Sequence, residues 1–187
     1  MKNVSRIMSF RARRGWSVVE VLIGVAFLAA VVMISMPGID RLARDHHLRK
    51  TSSNLFASLV LAQKEATRRG SRAQLCPSSD GKSCRPDGDW NRGWIIFVDI
   101  NANHEPEQAE VVEIYGPPKG KVHIDASGSF SPAVEFWPGG QLVEDDRPAA
   151  GSFRVCYGDD LSGYREILMD EGGRPDARES KEECFSS

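Results

Sequence analysis

From Trp16 to Met36 the chain is apolar at every position except Ser17, Glu20, Gly24 and Ser35. A helix over these 21 residues is about 31 Å long at about 1.5 Å per residue, enough to cross a bilayer core. After Pro37-Gly38 the pattern becomes amphipathic. Leu48, Ser52, Leu55, Leu59, Ala62 and Ala66 fall on one helical stripe, which Phe56 and Val60 widen. Arg68-Arg69-Gly70 makes a stop, with basic residues at the negative end of the helix and a glycine for the left-handed cap. The pattern predicts one long helix from about Trp16 to Arg69, kinked near Pro37-Gly38, its first half in a membrane and its second packed on one face. From Ser71 onward it reads as strands: 72–76, 94–98, 111–115, 122–125, 134–137, 141–143, 152–157 and 164–169. Turn signals at 86–89, 116–118, 138–140 and 158–160 separate them. Strands in a run after one helix imply an α+β chain with the helix on an antiparallel sheet or sandwich. No internal repeat or second globular domain is visible.

Charge is unevenly spread. Residues 1–72 carry 13 basic and 4 acidic side chains; residues 73–187 carry 11 and 22. A globular part this acidic repels nucleic acid unless a local patch overrides its field. The four cysteines, Cys76, Cys84, Cys156 and Cys184, suit an oxidising compartment. Four cysteines allow three pairings. Cys76–Cys84, closing a short loop, and Cys156–Cys184, tying down the tail, are favoured.

The start of the chain narrows the function. Lys2, Arg6, Arg11, Arg13 and Arg14 precede the apolar run without an acid among them, so the N-terminus is expected on the cytoplasmic side. The basic cluster ends at Gly15, and Glu20 follows five residues later inside the apolar segment. A carboxylate there is costly, about 2.5–3.5 kcal/mol at a helix centre. This arrangement resembles the class III signal of type IV pilins and pseudopilins. The resemblance implies a leader over 1–15, cut by prepilin peptidase between Gly15 and Trp16, with methylation of the new N-terminus. It implies a transmembrane and filament-core helix over 16–37, a periplasmic head over 38–187, and docking into the filament through Glu20. Trp16 stands where the usual residue is Phe. Loss of the leader removes five positive charges and leaves the chain near −7.

Further along, Gly93-Trp94-Ile95-Ile96-Phe97-Val98-Asp99 is similar to the G-W-x-x-F-x-D segment of the GspH/FimT family of minor pilins and pseudopilins. Ala62–Ala66 with Arg68-Arg69-Gly70 resembles the end of that family's long helix, and Phe136-x-Pro138-Gly139-Gly140 its glycine turn. The cysteine pattern and the Cys156…Gly173-Arg174…Cys184 ending look like the type IV pilus members of the FimU/FimT kind, and less like the H pseudopilin of type II secretion. The resemblance implies a minor pilin held in the inner membrane and then at or near the pilus tip, helping to prime assembly. Its partners would be other minor pilins, the major pilin, prepilin peptidase and the inner-membrane assembly platform. A type II secretion pseudopilin is the further alternative.

Some FimT members bind DNA during natural transformation through a C-terminal G-R-x-R motif. Here Gly173-Arg174 matches, but Asp176 occupies the second arginine position and Arg178 comes two residues late. A DNA-binding minor pilin using Arg174 and Arg178 is therefore the alternative reading, disfavoured by the surrounding acids. Asp99, Asn101, Asn103 and Glu110 have the ligand spacing of a calcium loop, with His104 at the glycine position. Otherwise no cofactor is expected. The chain has none of the catalytic motifs G-x-S-x-G, H-E-x-x-H or a P-loop, so no enzyme is expected. Asp145-Asp146 and Asp159-Asp160 read as turn residues. His46 and His47 are expected to face solvent or the stalk, Trp94 to sit in the core, and Trp90 to be exposed as a partner contact.

Overall fold

The computed structural model describes residues 16–158, 160–180 and 184, without the side chains of 32–41 and 160–162. The chain forms two compact units, residues 1–41 and 42–187. Residues 1–15, expected to form the leader, and with them Gly15, lie outside the described residues.

Helix α1 spans Val18–Arg69. It begins at Ser17, whose hydroxyl accepts from the Val19 N–H at 3.3 Å, satisfying one of the orphan donors of the first turn. It ends before Gly70, which has the left-handed φ of 62° that a terminating glycine supplies.

Within the second unit, Leu48, Ser52, Leu55, Leu59, Ala62 and Ala66 are all buried, so the predicted stripe is the packed face. Phe56 packs against it. Val60 does not; it is 39% exposed, one position too far round the helix.

Among the described residues ten strands follow: β1 (Arg72–Pro77), β2 (Trp94–Asp99), β3 (Val111–Tyr115), β4 (Val122–Gly128), β5 (Val134–Phe136), β6 (Leu142–Glu144), β7 (Arg147–Pro148), β8 (Gly151–Tyr157), β9 (Asp160–Met169) and β10 (Pro175–Ser180). They make a six-stranded sheet, β3-β2-β1-β5-β6-β7, and a four-stranded sheet, β10-β9-β8-β4, antiparallel at each pairing. The α+β class with a helix on antiparallel sheets is borne out.

One core serves the helix and both sheets. Leu55 and Leu59 from α1 meet Leu75 and Ile96 from the first sheet and Phe153 and Ile167 from the second. β2 is buried at every position. Its alternation explains why its sequence is a continuous apolar run. Trp94, Ile96 and Val98 face the main core, while Ile95 and Phe97 face a smaller cluster with Cys76 and Cys84. Gly93 leads into β2 with φ 103°. A Cβ there would collide with the Tyr115 carbonyl, so only glycine fits.

The disulfides are Cys76–Cys84 and Cys156–Cys184. Asp80 organises the loop closed by the first. Its carboxylate accepts from the Lys82 and Ser83 N–H groups at 2.8 and 2.9 Å, and these bonds, with that of Ser83 foremost, hold its carboxyl well below the usual carboxylate range.

Trp90 is a correction. It is 1% exposed, in a short 3₁₀ turn over Trp90–Arg92, edge-on to Phe153 with ring centroids 4.6 Å apart. The neighbouring Asn91 amide accepts from Ile124 N at 2.8 Å and donates to Ile124 O at 3.1 Å. A side chain thus stands in for a strand along the outer edge of β4.

At the end of α1, Glu65 is bonded by Arg68 Nη2 at 2.5 Å and Arg69 Nε at 2.8 Å. The Arg68 bond lowers the Glu65 carboxyl from its ordinary 4.5, Arg69 adds to this, and burial opposes it. Asp80, Asp87 and Asp146 are shifted the same way by their own donors. A lowered folded value stabilises the fold above the ordinary carboxylate range, and that contribution is lost as pH falls through the folded value. The urea midpoint of the head should therefore drop between about pH 6 and about pH 3. Glu65→Gln should flatten that slope in parallel melts; an unchanged slope would remove Glu65 from the account.

Candidate functional site

Residues 16–31 present a largely apolar surface. Val18, Val19, Leu22, Ile23, Val25, Phe27 and Leu28 are all exposed, Trp16 to 79%. A helix that is hydrophobic all round is stable only when something covers it. Glu20 lies in its first turn, three residues after the capping Ser17, where the helix dipole favours a negative charge. Ser17 is a feature that a reading of the leader alone passes over; the S-x-x-E spacing of a capping box was its signal. Among the described residues no helix is long and apolar enough to cross a membrane. The apolar run of the sequence continues from Val32 to Met36 among side chains outside that set.

Residues 175–180 form a strand. β10 is an edge strand paired along its length with β9. Its sequence, Pro-Asp-Ala-Arg-Glu-Ser, lacks alternation because it is mostly exposed, and proline is tolerated at the first residue of an edge strand. Arg174 and Arg178 line one groove of about 570 Å³, with Gly128, Gly151 and Met169 at its walls. Arg178 Nε donates to Asp176 Oδ2 at 2.8 Å. The Arg174 backbone N–H donates to Asp170 Oδ1 at 3.2 Å. The structure thus brings the two arginines together, with carboxylates among them.

The loop between β2 and β3 is built by its own polar side chains. Asp99 Oδ1 accepts from Asn103 N at 3.1 Å and Oδ2 from His104 N at 3.0 Å. Asn101 Oδ1 also accepts from Asn103 N, at 3.1 Å. Glu110 Oε1 accepts from Ile100 N at 2.9 Å. His104 adopts φ 61°, the left-handed conformation for which glycine is favoured. The acceptors Asp99, Asn101, Asn103 and Glu110 are therefore engaged by amides. Among the described residues no group of three or more His, Cys, Asp or Glu side chains is arranged to hold a metal ion.

His47 is a second correction. It is half-buried and lines a pocket of about 190 Å³ with Lys50, Asn54, Tyr115 and Lys119. A Cβ on Gly120 would lie 3.2 Å from its ring. No spacing in the sequence joins the helix to the 116–121 loop, which is why this pocket was not anticipated.

The comparisons with known proteins agree on the fold. The family model for the type II transport protein GspH matches residues 51–173. A crystal structure of the type IV minor pilin FimU from Pseudomonas aeruginosa superposes with a TM-score of 0.58 at 17% identity, covering 77% of this chain and 99% of the other. The minor pseudopilin EpsH from the type 2 secretion system of Vibrio cholerae superposes with a TM-score of 0.52 at 12% identity, covering 71% and 96%. No curated protein matches the chain by sequence.

Proposed function

Because the chain belongs to the GspH family, we propose that it is a minor pilin of a type IV pilus, incorporated at or near the tip and helping to prime assembly. The matched names are those of pilin, pseudopilin and transport components, which supports a structural role rather than a catalytic one. The observation that carries the reading is the capped helix with Glu20 in its first turn and a largely apolar exposed surface over residues 16–31. Such a helix needs a membrane before assembly and neighbouring helices after it. In this reading residues 1–15 are a leader cut at Gly15–Trp16, residues 16–37 span the inner membrane and then enter the filament core, and residues 38–187 are the periplasmic head. The cysteine pattern and the tail favour a pilus over a secretion system.

The test is deletion of this chain alone. Surface filaments should be lost or sharply reduced while secretion of folded proteins continues, and the protein recovered from membranes should begin at Trp16. Normal filament numbers with failed secretion would transfer the chain to a type II system.

The DNA-binding alternative requires both arginines free for phosphate. Arg178 is instead held by Asp176, and Asp170 and Asp176 line the same groove. The head is therefore expected to give no retardation of duplex DNA at physiological salt. Binding there that Arg174→Ala abolishes would reverse the preference.

A further inference from the structure

Each sheet has two edges, and among the described residues three of the four are blunted. β7 is two residues long and ends on a proline, which has no N–H to offer. β4 is occupied at Ile124 by the Asn91 amide. β10 begins with Pro175 and carries Asp176, Arg178 and Glu179, charges that keep other strands away. β3 is different. It ends its sheet and reads Val-Val-Glu-Ile-Tyr, without proline or lysine. A register shift opposite Ile96 and Phe97 bends it near Val112, but Glu113, Ile114 and Tyr115 pair regularly with Ile96, Ile95 and Trp94. Among the described residues no hydrogen bond beyond that pairing reaches the backbone of 112–115. The outer N–H and C=O groups of β3 are thus left to solvent, and the Ile114 side chain beside them is 56% exposed.

A groove of about 720 Å³ lies along this edge, lined by Gly81 and Lys82 of the disulfide-closed loop and by Pro106 and Gln108 of the loop between β2 and β3. The disulfide-loop wall is firm. Asp80 pins it through the Lys82 and Ser83 amides, and a Cβ on Gly81 would come within 3.1 Å of Ile114. Glu113 and Lys82 bring one charge of each sign to the groove, and among the described residues neither stands in an ion pair.

We propose that β3 accepts a strand: an extended segment of a different protein subunit pairs with its outer edge in this groove, with an apolar side chain beside Ile114, a basic one beside Glu113 and an acidic one toward Lys82. Only an extended backbone presents N–H and C=O groups at the strand repeat of about 3.4 Å per residue, so the edge itself selects the class of partner. Apolar and charged neighbours across the pair then select its sequence and direction. β3 is short, so it holds about four residues at that repeat, and the fixed wall lowers the cost of ordering them. The inference rests on the reading of the chain as a minor pilin and gives it a contact with an unlike neighbour.

A photo-crosslinking residue in place of Ile114, in the full chain in cells, should give one adduct with another protein of the assembly. The same residue in place of Ala177, exposed on β10, should give none. Mass spectrometry of the adduct identifies the joined segment. Among the described residues the core, both disulfides and every strand pairing lie within Leu42–Ser187, so the head can be studied alone. A synthetic peptide of that segment should slow hydrogen exchange at amides within Val112–Tyr115 at least about tenfold, and a copy N-methylated at alternate backbone positions should not. Glu113→Lys turns an attraction into a repulsion and should weaken the peptide about fivefold. Its urea midpoint should match the parent head, because Glu113 is exposed.

No adduct at Ile114, equal yield at Ala177, or an adduct with a second copy of this chain would overturn the proposal. So would a peptide that binds equally well after N-methylation, which would make the groove an apolar cleft rather than a strand edge. Filament counts after deletion test the subunit role separately. Loss of filaments with no adduct at Ile114 would refute the strand contact and leave that role standing. A specific adduct in cells whose filaments survive deletion would keep the contact and move the chain to another assembly.

Discussion

Trp94→Ala is expected to destabilise the head by about 3–5 kcal/mol, the range for removing a large buried aromatic side chain. Trp94 is 1% exposed and binds three neighbours at once. Its indole N–H donates to Ser58 Oγ of the helix at 2.9 Å. Its ring stacks on Tyr115 of β3, with centroids 5.0 Å apart and planes 14° from parallel. Its remaining face lies in the core shared by helix and sheets. Truncation would open a cavity at the point where α1, β2 and β3 meet. Trp94→Phe keeps much of the volume and loses the hydrogen bond, so it should cost about 1 kcal/mol for the bond plus a smaller packing loss. Urea unfolding of the head measures both. An alanine variant within about 1 kcal/mol of the parent would show that the core closes over the gap.

Glu20→Ala should leave leader cleavage and head stability unchanged while lowering the amount of this chain in sheared filaments by at least about tenfold, or about 1.4 kcal/mol. In the proposed assembly the carboxylate pairs with the positive N-terminus of a neighbouring subunit. In packed apolar surroundings an unpaired charge is strongly penalised, and breaking such a pair costs more than the pair contributes by forming. A subunit out of register leaves two charges unpaired, so the pair selects the correct stagger. Glu20→Gln separates charge from shape: it should assemble as poorly as the alanine variant. Equal recovery of parent and both variants from filaments, with equal amounts in the membrane fraction, would end this role for Glu20.

Much of the fold was legible because period and punctuation agree. The α1 stripe, its stop at Gly70 and most of the strands follow from spacing and turn residues. The missed features share one cause: each is settled by a partner distant in sequence. Trp90 lies in a Gly- and Asp-rich stretch that looks like surface loop, and only Phe153 makes it core. β10 has no alternation, and β9 supplies its ladder. β7 is two exposed residues, Arg147–Pro148, recognisable only through pairing with β6. At the candidate sites the residue types were visible but their partners were not. The spacing of Asp99, Asn101, Asn103 and Glu110 marked a polar loop, yet not that backbone amides take up its acceptors. The Arg174 and Arg178 pair was visible, and Asp176 beside it hinted at the ion pair that holds Arg178.

One side chain has a mechanical consequence. Gln63 Nε2 donates to the Gly140 carbonyl and to the Gly173 carbonyl, each at 2.7 Å. Gly140 belongs to the turn between β5 and β6 in one sheet, and Gly173 to the turn between β9 and β10 in the other. Both turns are therefore riveted to the same residue of α1, six positions before its end. In the proposed assembly, load on the filament is carried by its helices. At Gln63 that load divides between the two sheets instead of peeling one from the other, so the last turns of α1 serve as the anchorage through which the head resists being drawn apart.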